Sequence, residues 1–98
     1  MELRIQSVNF DATEQLKAFV EKKVKKLERF NEDIIETEVI LKVVKPETAN
    51  NKDASVKMKL RQGEAFAGKT ADTFEEAVDL CLLAIEKQII KTKTKKER

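Results

Sequence analysis

Residues 13–30 constrain the fold of this chain more than any other stretch. Apolar residues recur there at spacings of three and four over about five turns, which is the pattern of an amphipathic helix. They are Leu16, Phe19, Val20, Val24, Leu27 and Phe30. The remaining surface sorts its charges, with glutamates at 14, 21 and 28 along one flank. Along the other flank runs a basic stripe, consisting of Lys22, Lys25, Lys26 and Arg29. One face of this helix therefore needs an apolar partner, and the basic stripe is either a solvated face or a binding surface for anions. The helix is expected to begin at Asp11 or Thr13, both good N-cap residues.

Four segments alternate between apolar and polar residues, which predicts half-buried strands. The predicted strands are residues 2–8, 34–45, 54–61 and 64–70. In the last of them we expect Phe66 to point into the core. Residues 46–53 contain turn-forming residues without periodicity and are predicted to form a mobile loop, and Gln62-Gly63 is predicted to form a tight hairpin turn.

A second long helix is predicted to start at Thr73, which forms a capping-box pattern with Glu76. Its apolar face consists of Phe74, Ala77, Val78, Cys81, Ile85 and Ile89, broadened by Leu82, Leu83 and Ile90. Residues 91–98 have no apolar anchor, and we expect a basic flexible tail that is frayed or disordered. The chain is thus predicted to be one domain over residues 1–90 followed by that tail.

The predicted order of elements is β-α-β-β-β-α. Two amphipathic helices and four strands with one apolar face each are most simply satisfied by a two-layer α/β sandwich, a four-stranded mixed sheet with both helices on one face. If the first two strands are parallel neighbours, the first helix is a right-handed crossover. The outer face of the sheet is then left to six basic residues, Arg4, Lys42, Lys57, Lys59, Arg61 and Lys69.

Composition argues against catalysis. The chain has no histidine and a single cysteine, Cys81, which is expected to be a buried thiol in a reducing compartment. Asp72, Glu75, Glu76 and Asp79 could form a metal or acid-base site, but capping and the helix dipole already account for carboxylates at a helix start. We expect no catalytic residues, metal, cofactor or small-molecule substrate. No apolar run resembles a signal peptide or a membrane span, so a cytoplasmic protein without a membrane partner is expected.

Placement of the basic residues is more informative than their sum, because 20 basic and 18 acidic residues leave a net charge of only +2. Lys87, Lys91 and Lys95 repeat every four residues on the second helix, where the helix dipole explains one or two of them. If the helices are parallel, the two basic rows could border one surface suited to phosphates. With the phenylalanines mostly in the core, no aromatic platform is left for single-stranded bases, which favours folded RNA.

Three blocks of residues carry a family resemblance. They are Thr13-x-x-Leu16-x-x-Phe19-Val20-x-x-Lys23-x-x-Lys26-Leu27-Glu28, then VILKVVK at 39–45, then Ala77-Val78-Asp79 with Glu86-Lys87-Gln88-Ile89 and Lys91. In order and spacing they resemble the ribosome hibernation-promoting factor family, which includes the ribosome-associated inhibitor A proteins and was also labelled sigma-54 modulation protein. The resemblance implies a fold like that of double-stranded RNA-binding domains. It also implies binding to the 16S rRNA of the small ribosomal subunit, over the tRNA and mRNA sites, in stationary phase or stress.

The resemblance also implies which basic residues contact RNA. It points to Lys17, Lys23, Lys26, Lys42, Lys45, Lys87, Lys91 and Lys93. With the basic stripe and Lys95 these complete the candidate RNA-binding set. Lys23 projects close to the apolar face, so its stem can pack while its ammonium reaches solvent. Where many members open the last helix with Asp-Met-Tyr, this chain has Thr73-Phe74-Glu75, which keeps the cap and lacks the tyrosine.

The leading hypothesis is therefore a non-enzymatic ribosome hibernation factor that inhibits translation by occlusion. The chain resembles short members without a C-terminal dimerisation domain, and we expect a monomer off the ribosome. Whether it promotes or prevents ribosome dimers stays open. A protein-interaction module that modulates transcription through the open sheet face is the alternative, and an acidic-site metal enzyme is a third.

Overall fold

The computed structural model of the chain describes residues 2–8, 10–29, 34–44, 51–61 and 63–96, with side chains described as far as Ile89. Six elements follow one another in the predicted order β-α-β-β-β-α. They are β1 (Glu2–Val8), α1 (Glu14–Arg29), β2 (Ile34–Val43), β3 (Lys52–Leu60), β4 (Gly63–Ala71) and α2 (Phe74–Lys96).

The strands form one mixed sheet in the spatial order β1-β2-β3-β4. β1 pairs with β2 in parallel, whereas β2 with β3 and β3 with β4 are antiparallel. Ile5, Val39, Val56 and Ala67 lie side by side in one cross-strand row. This row faces the helices, because Val39, Val56 and Ala67 share one core cluster with the buried residues of both helices and Ile5 packs against that cluster. The predicted two-layer sandwich with both helices on one face is confirmed.

The helix starts depend on threonine caps. The backbone N–H of Leu16 donates to Thr13 Oγ1 at 3.1 Å, so Thr13 rather than Asp11 is the N-cap of α1. The backbone N–H of Glu76 likewise donates to Thr73 Oγ1 at 3.1 Å, which confirms the predicted cap of α2. The apolar face predicted for α1 is buried at Leu16, Val20, Val24 and Leu27.

Several strand boundaries differ by one or two residues from the sequence prediction, most clearly at β3 and β4. β3 begins at Lys52, inside the predicted loop, because the β2–β3 ladder continues to Val43 opposite Lys52 and the N–H of Val44 donates to Asn51 O at 2.9 Å. Residues 46–50 of that loop lie outside the described residues. Gly63 belongs to β4, where it pairs with Leu60 at a φ of 152° that favours glycine, so it is not part of the turn; Gln62 lies outside the described residues.

Three side chains lie on a different face from the one predicted. Phe66 is 58% exposed on the outer face of the sheet, because its neighbours Ala65 and Ala67 supply the inward positions of β4. Lys69 shares the inward parity of those alanines and pairs with buried Ala54, so it is not an outer-face residue. Leu83 is 55% exposed, since it lies on the side of α2 opposite the core.

The end of α2 is also later than predicted. The helix continues through residue 96, whereas the sequence placed the start of the tail at residue 91. The backbone of Lys91, Lys93 and Lys95 is therefore helical, and their side chains lie outside the described ones, as does Ile90's.

Candidate nucleic-acid interface

The basic stripe points straight away from the core. At about 100° per residue, Lys22, Lys25 and Arg29 fall on the side of α1 opposite Val20 and Leu27. All four residues of the stripe are exposed. Together with Ala18 and Glu21 they line a shallow depression along the helix. Packing of the apolar face thus dictates that the stripe is presented to solvent.

Charges within the stripe are unequally compensated. Lys25 Nζ lies 2.9 Å from Glu21 Oε1, one turn earlier. The hydrogen bond to Glu21, and then its negative charge, raise the pKa of Lys25. Within the described part of the chain, Lys22, Lys26 and Arg29 form no ion pair. These three cations are therefore the ones that an external anion can compensate.

Lys17 and Lys23, the other α1 residues of the candidate set, lie on opposite flanks of the stripe. Lys17 Nζ is 3.8 Å from Glu14 Oε1. Lys23 Nζ is 3.6 Å from Asp79 Oδ1 of α2 and 5.5 Å from the centre of the Phe19 ring. The Lys23 side chain thus packs along the helix and ends in an interhelical ion pair, which leaves its charge partly neutralised.

The two helices run in the same direction. The rings of Phe10 and Phe74, just before α1 and at the start of α2, stack with centroids 4.5 Å apart. Further along both helices, Lys23 meets Asp79. β1 and β4 run in the same direction, and each is followed by a helix that returns over the same face of the sheet, so the two helices are parallel. The basic ends of α1 and α2 consequently lie at the same end of the molecule, while the ion pair of Lys23 with Asp79 separates the two basic rows along their length.

α2 is the longer helix, with 23 residues against 16 in α1. Lys23 meets Asp79 through their side chains, which puts Arg29, six residues later in α1, at about the level of Ile85, six residues later in α2. Beyond that level the backbone of α2 continues from residue 86 to residue 96, about 16 Å at 1.5 Å per residue. Exposed Lys87 and the helical positions of Lys91, Lys93 and Lys95 all belong to this overhang.

The outer face of the sheet is different in character, because its lysines alternate with glutamates. Lys59 lies between Glu36 and Glu64 in one cross-strand row. Lys57 Nζ is 3.7 Å from Glu64 Oε2. Arg4 is similarly placed, with its guanidinium 3.6 Å from Glu2 and 3.8 Å from Glu36. These charges are largely compensated within the sheet.

Lys42, predicted from the resemblance, belongs to this outer face. Lys42 is exposed on β2, and its cross-strand neighbour on β3 is Asp53. The sheet separates it from the basic stripe, so the structure does not bring these two parts of the candidate set together. Lys45 lies outside the described residues.

Two features of the surface were missed by reasoning from the sequence. One is the exposed ring of Phe66; it alternates with Ala65 and Ala67, but both alternating sets of β4 contain small or apolar residues, so the alternation did not show which set is buried. The other is Gln88, whose side chain hydrogen-bonds the backbone of Phe66. No sequence pattern pointed to that contact, because it joins residues 22 positions apart.

The described residues offer little for covalent chemistry. Across these segments, no group of three or more His, Cys, Asp or Glu side chains is placed to hold a metal ion. Cys81 is buried and its thiol donates to Ala54 O at 3.2 Å; burial raises the pKa of this thiol to about 11. A thiolate nucleophile at neutral pH is thus disfavoured. None of the helices in the described segments has the length and apolarity to cross a membrane.

Comparison with known proteins confirms the resemblance drawn from the residues. The sequence model described as "Sigma 54 modulation protein / S30EA ribosomal protein" matches residues 3–97. Among solved structures, the fold is similar to that of a ribosomal subunit interface protein from Coxiella burnetii, with a TM-score of 0.85 and 22% identity over 96% of this chain and 99% of that one. The N-terminal domain of Protein Y from Thermus thermophilus has a TM-score of 0.78 and 20% identity over 94% of this chain and 99% of that one. Comparison with curated protein sequences gives no significant match.

Proposed function

This chain belongs to the sigma 54 modulation protein / S30EA ribosomal protein family, and on that premise we propose that it is a ribosome hibernation factor. It binds the small ribosomal subunit in the cytoplasm and covers the tRNA and mRNA sites. Translation in stationary phase or stress is inhibited by occlusion, and no catalytic step is required. The partner surface is 16S rRNA, contacted through phosphates.

The observation that carries this proposal is the basic stripe on α1. Lys22, Lys26 and Arg29 are exposed and form no ion pair in the described part of the molecule. Lys22 and Arg29 are seven residues apart, about 10 Å along the helix, which is the scale of a few phosphates on a nucleic-acid strand. Helical side chains held at fixed spacing suit RNA that is recognised by shape and backbone rather than by single-stranded bases.

The overhang of α2 extends this surface at one end. Lys87 and the helical positions 91, 93 and 95 follow the level at which α1 ends, so their cations add to the positive end formed by Arg29. Lys17 and Lys23 contribute from the flanks with partly compensated charges. Because each neutralised phosphate releases counterions, the affinity should be strongly salt-dependent. Inhibition then needs only that the bound protein fill space that tRNA and mRNA use.

Sedimentation with purified ribosomal subunits tests the proposal. We expect the protein to pellet with small subunits, and the association constant to fall by a factor of about 10³ between about 50 and 200 mM salt if about six phosphates are contacted. Large subunits serve as the matched control for nonspecific binding of a basic helix. Cell-free translation should be inhibited at the protein concentrations that saturate small subunits. Salt-insensitive binding, equal binding to both subunits, or no binding would contradict the proposal.

The outer sheet face favours a second candidate function, a protein-interaction module of the transcription-modulating type. Phe66 is 58% exposed in surroundings of compensated charge, and exposed aromatic residues are frequent anchors of protein interfaces. Pull-down after nuclease treatment separates the two candidates. A partner that survives nuclease and is lost with Phe66→Ser supports the sheet face, whereas ribosomal partners that vanish with nuclease support the basic stripe.

A further inference from the structure

Gln88 joins α2 to the outer edge of the sheet by two hydrogen bonds. Its Nε2 donates to Phe66 O at 2.7 Å, and its Oε1 accepts from the backbone N–H of Phe66 at 3.1 Å. β4 is the last strand of the sheet, so no neighbouring strand pairs with this edge among the described residues. The side-chain amide offers the donor and acceptor that a peptide group of such a strand would supply. Gln88 therefore binds the edge as a short strand would.

The position of this contact along α2 is significant. The first part of α2 packs against both α1 and the sheet, and Ala77, Val78 and Cys81 are fully buried there. At the level of Ile85 α1 has ended, and the last described side chain of α2, Ile89, is still buried in the core. Gln88 and buried Ile89 thus hold α2 at the root of the helical backbone that continues through residues 90–96.

We propose that Gln88 is a positioning residue for rRNA binding: its amide fixes the basic overhang of α2 against the edge of β4, so that the lysines of α2 and the basic stripe of α1 meet one RNA surface together. This inference rests on the proposed function. Gln88 itself need not touch RNA. It acts by holding the helical backbone that carries Lys87, Lys91, Lys93 and Lys95 against the edge of β4, which lowers the entropy lost when several phosphates are bound at once.

The test is the substitution Gln88→Ala, with Gln15→Ala as its matched control. Gln15 is an exposed glutamine of α1, so the control makes the same change in a helix without removing a contact to the sheet. Binding to purified small subunits is measured as a function of salt. For Gln88→Ala we expect the slope of log K against log salt to decrease by about 1 to 2, the equivalent of one or two phosphate contacts, and the affinity near about 150 mM salt to fall about 5- to 30-fold. Gln15→Ala should stay within about twofold.

The salt slope separates positioning from a general loss of folded protein. A variant that merely lost part of its folded population would bind less while keeping the wild-type slope, and that result would overturn the inference. Hydrogen exchange provides an independent readout, since the amide of Phe66 should be protected in the wild type and should exchange faster in Gln88→Ala.

A second variant tests whether Gln88 acts through the lysines. In Lys87→Ala/Lys91→Ala/Lys93→Ala/Lys95→Ala, adding Gln88→Ala should produce little further loss of affinity, because all four lysines that it positions are gone. If Gln88→Ala weakens binding in the lysine variant as much as it does in the wild type, Gln88 does not act through these lysines. Different results would contradict the two proposals. If the wild type does not bind small subunits, the proposed function is wrong. If the wild type binds and Gln88→Ala binds equally well with an unchanged salt slope, only the role of Gln88 is wrong.

Discussion

Neutralising part of the basic stripe gives the most direct prediction for the proposed function. The variant Lys22→Gln/Arg29→Gln removes two exposed cations that form no ion pair in the described segments. If each neutralises one phosphate, the slope of log K against log salt should decrease by about 1.8, at about 0.9 per contact. If the variant and the wild type bind equally at about 1 M salt, this difference in slope makes the affinity of the variant about 30-fold weaker at about 150 mM salt.

The matched control is Lys57→Gln/Lys59→Gln on the outer sheet face, which changes the net charge by the same amount. Lys57 is already 3.7 Å from Glu64, and Lys59 lies between two glutamates, so neither is expected to contact RNA. Affinity for small subunits, measured by sedimentation over a salt series, should change by less than about threefold. All four positions are exposed, and thermal unfolding should confirm that stability is nearly unchanged.

Two results would refute this reasoning. If both variants weaken binding equally, the overall charge rather than the stripe determines affinity. If Lys22→Gln/Arg29→Gln binds as tightly as wild type with the same salt slope, the stripe is a solvated face.

Three further predictions concern stability. Burial raises the pKa of Cys81 to about 11, above the value of about 8.5 expected in the unfolded chain. The neutral thiol therefore contributes stability that is present below about pH 8.5 and lost toward pH 11, and denaturant titrations over this range should show a loss of about 3 kcal/mol that is absent from Cys81→Ala. A pH dependence equal to that of Cys81→Ala would contradict this. Thr73→Ala should lower the free energy of unfolding by about 1 kcal/mol, since the N–H of Glu76 loses its 3.1 Å acceptor, and an unchanged denaturation midpoint would show that the cap is dispensable. Met58→Ala, at a fully buried site, should lower the free energy of unfolding by about 2 to 5 kcal/mol in the same assay. Leu83→Ala, at a site 55% exposed, should lower it by well under half of that. Equal losses in the two variants would contradict the observed packing.

Features that depend on neighbours in the chain were predictable. Spacings of three and four residues specify the buried face of α1, and with it the outward direction of Lys22, Lys25 and Arg29, because a helix fixes the angle between residues. Thr73 caps α2 through a hydrogen bond to an N–H three residues later, which is also local. The order of elements and the single apolar face then leave few alternatives to a two-layer sandwich.

Features that depend on residues distant in the chain were decided by the tertiary structure. In β4, both alternating sets contain small or apolar residues, so only the pairing with β3 determined that Ala67 is buried and Phe66 exposed. Whether Lys23 is free to meet RNA depended on Asp79 of the neighbouring helix, and Lys42 was separated from the stripe by the sheet itself.

The sequence by itself therefore determined the helices, the strand order along the chain and the charge pattern of each helix. Only the tertiary structure decided that Lys23 meets Asp79, and only it brought Gln88 to the edge of β4. The physical reason is range: backbone periodicity, capping and ion pairs along one helix act within a few residues, whereas an ion pair between helices and an edge hydrogen bond require two distant segments to meet with their side chains correctly directed.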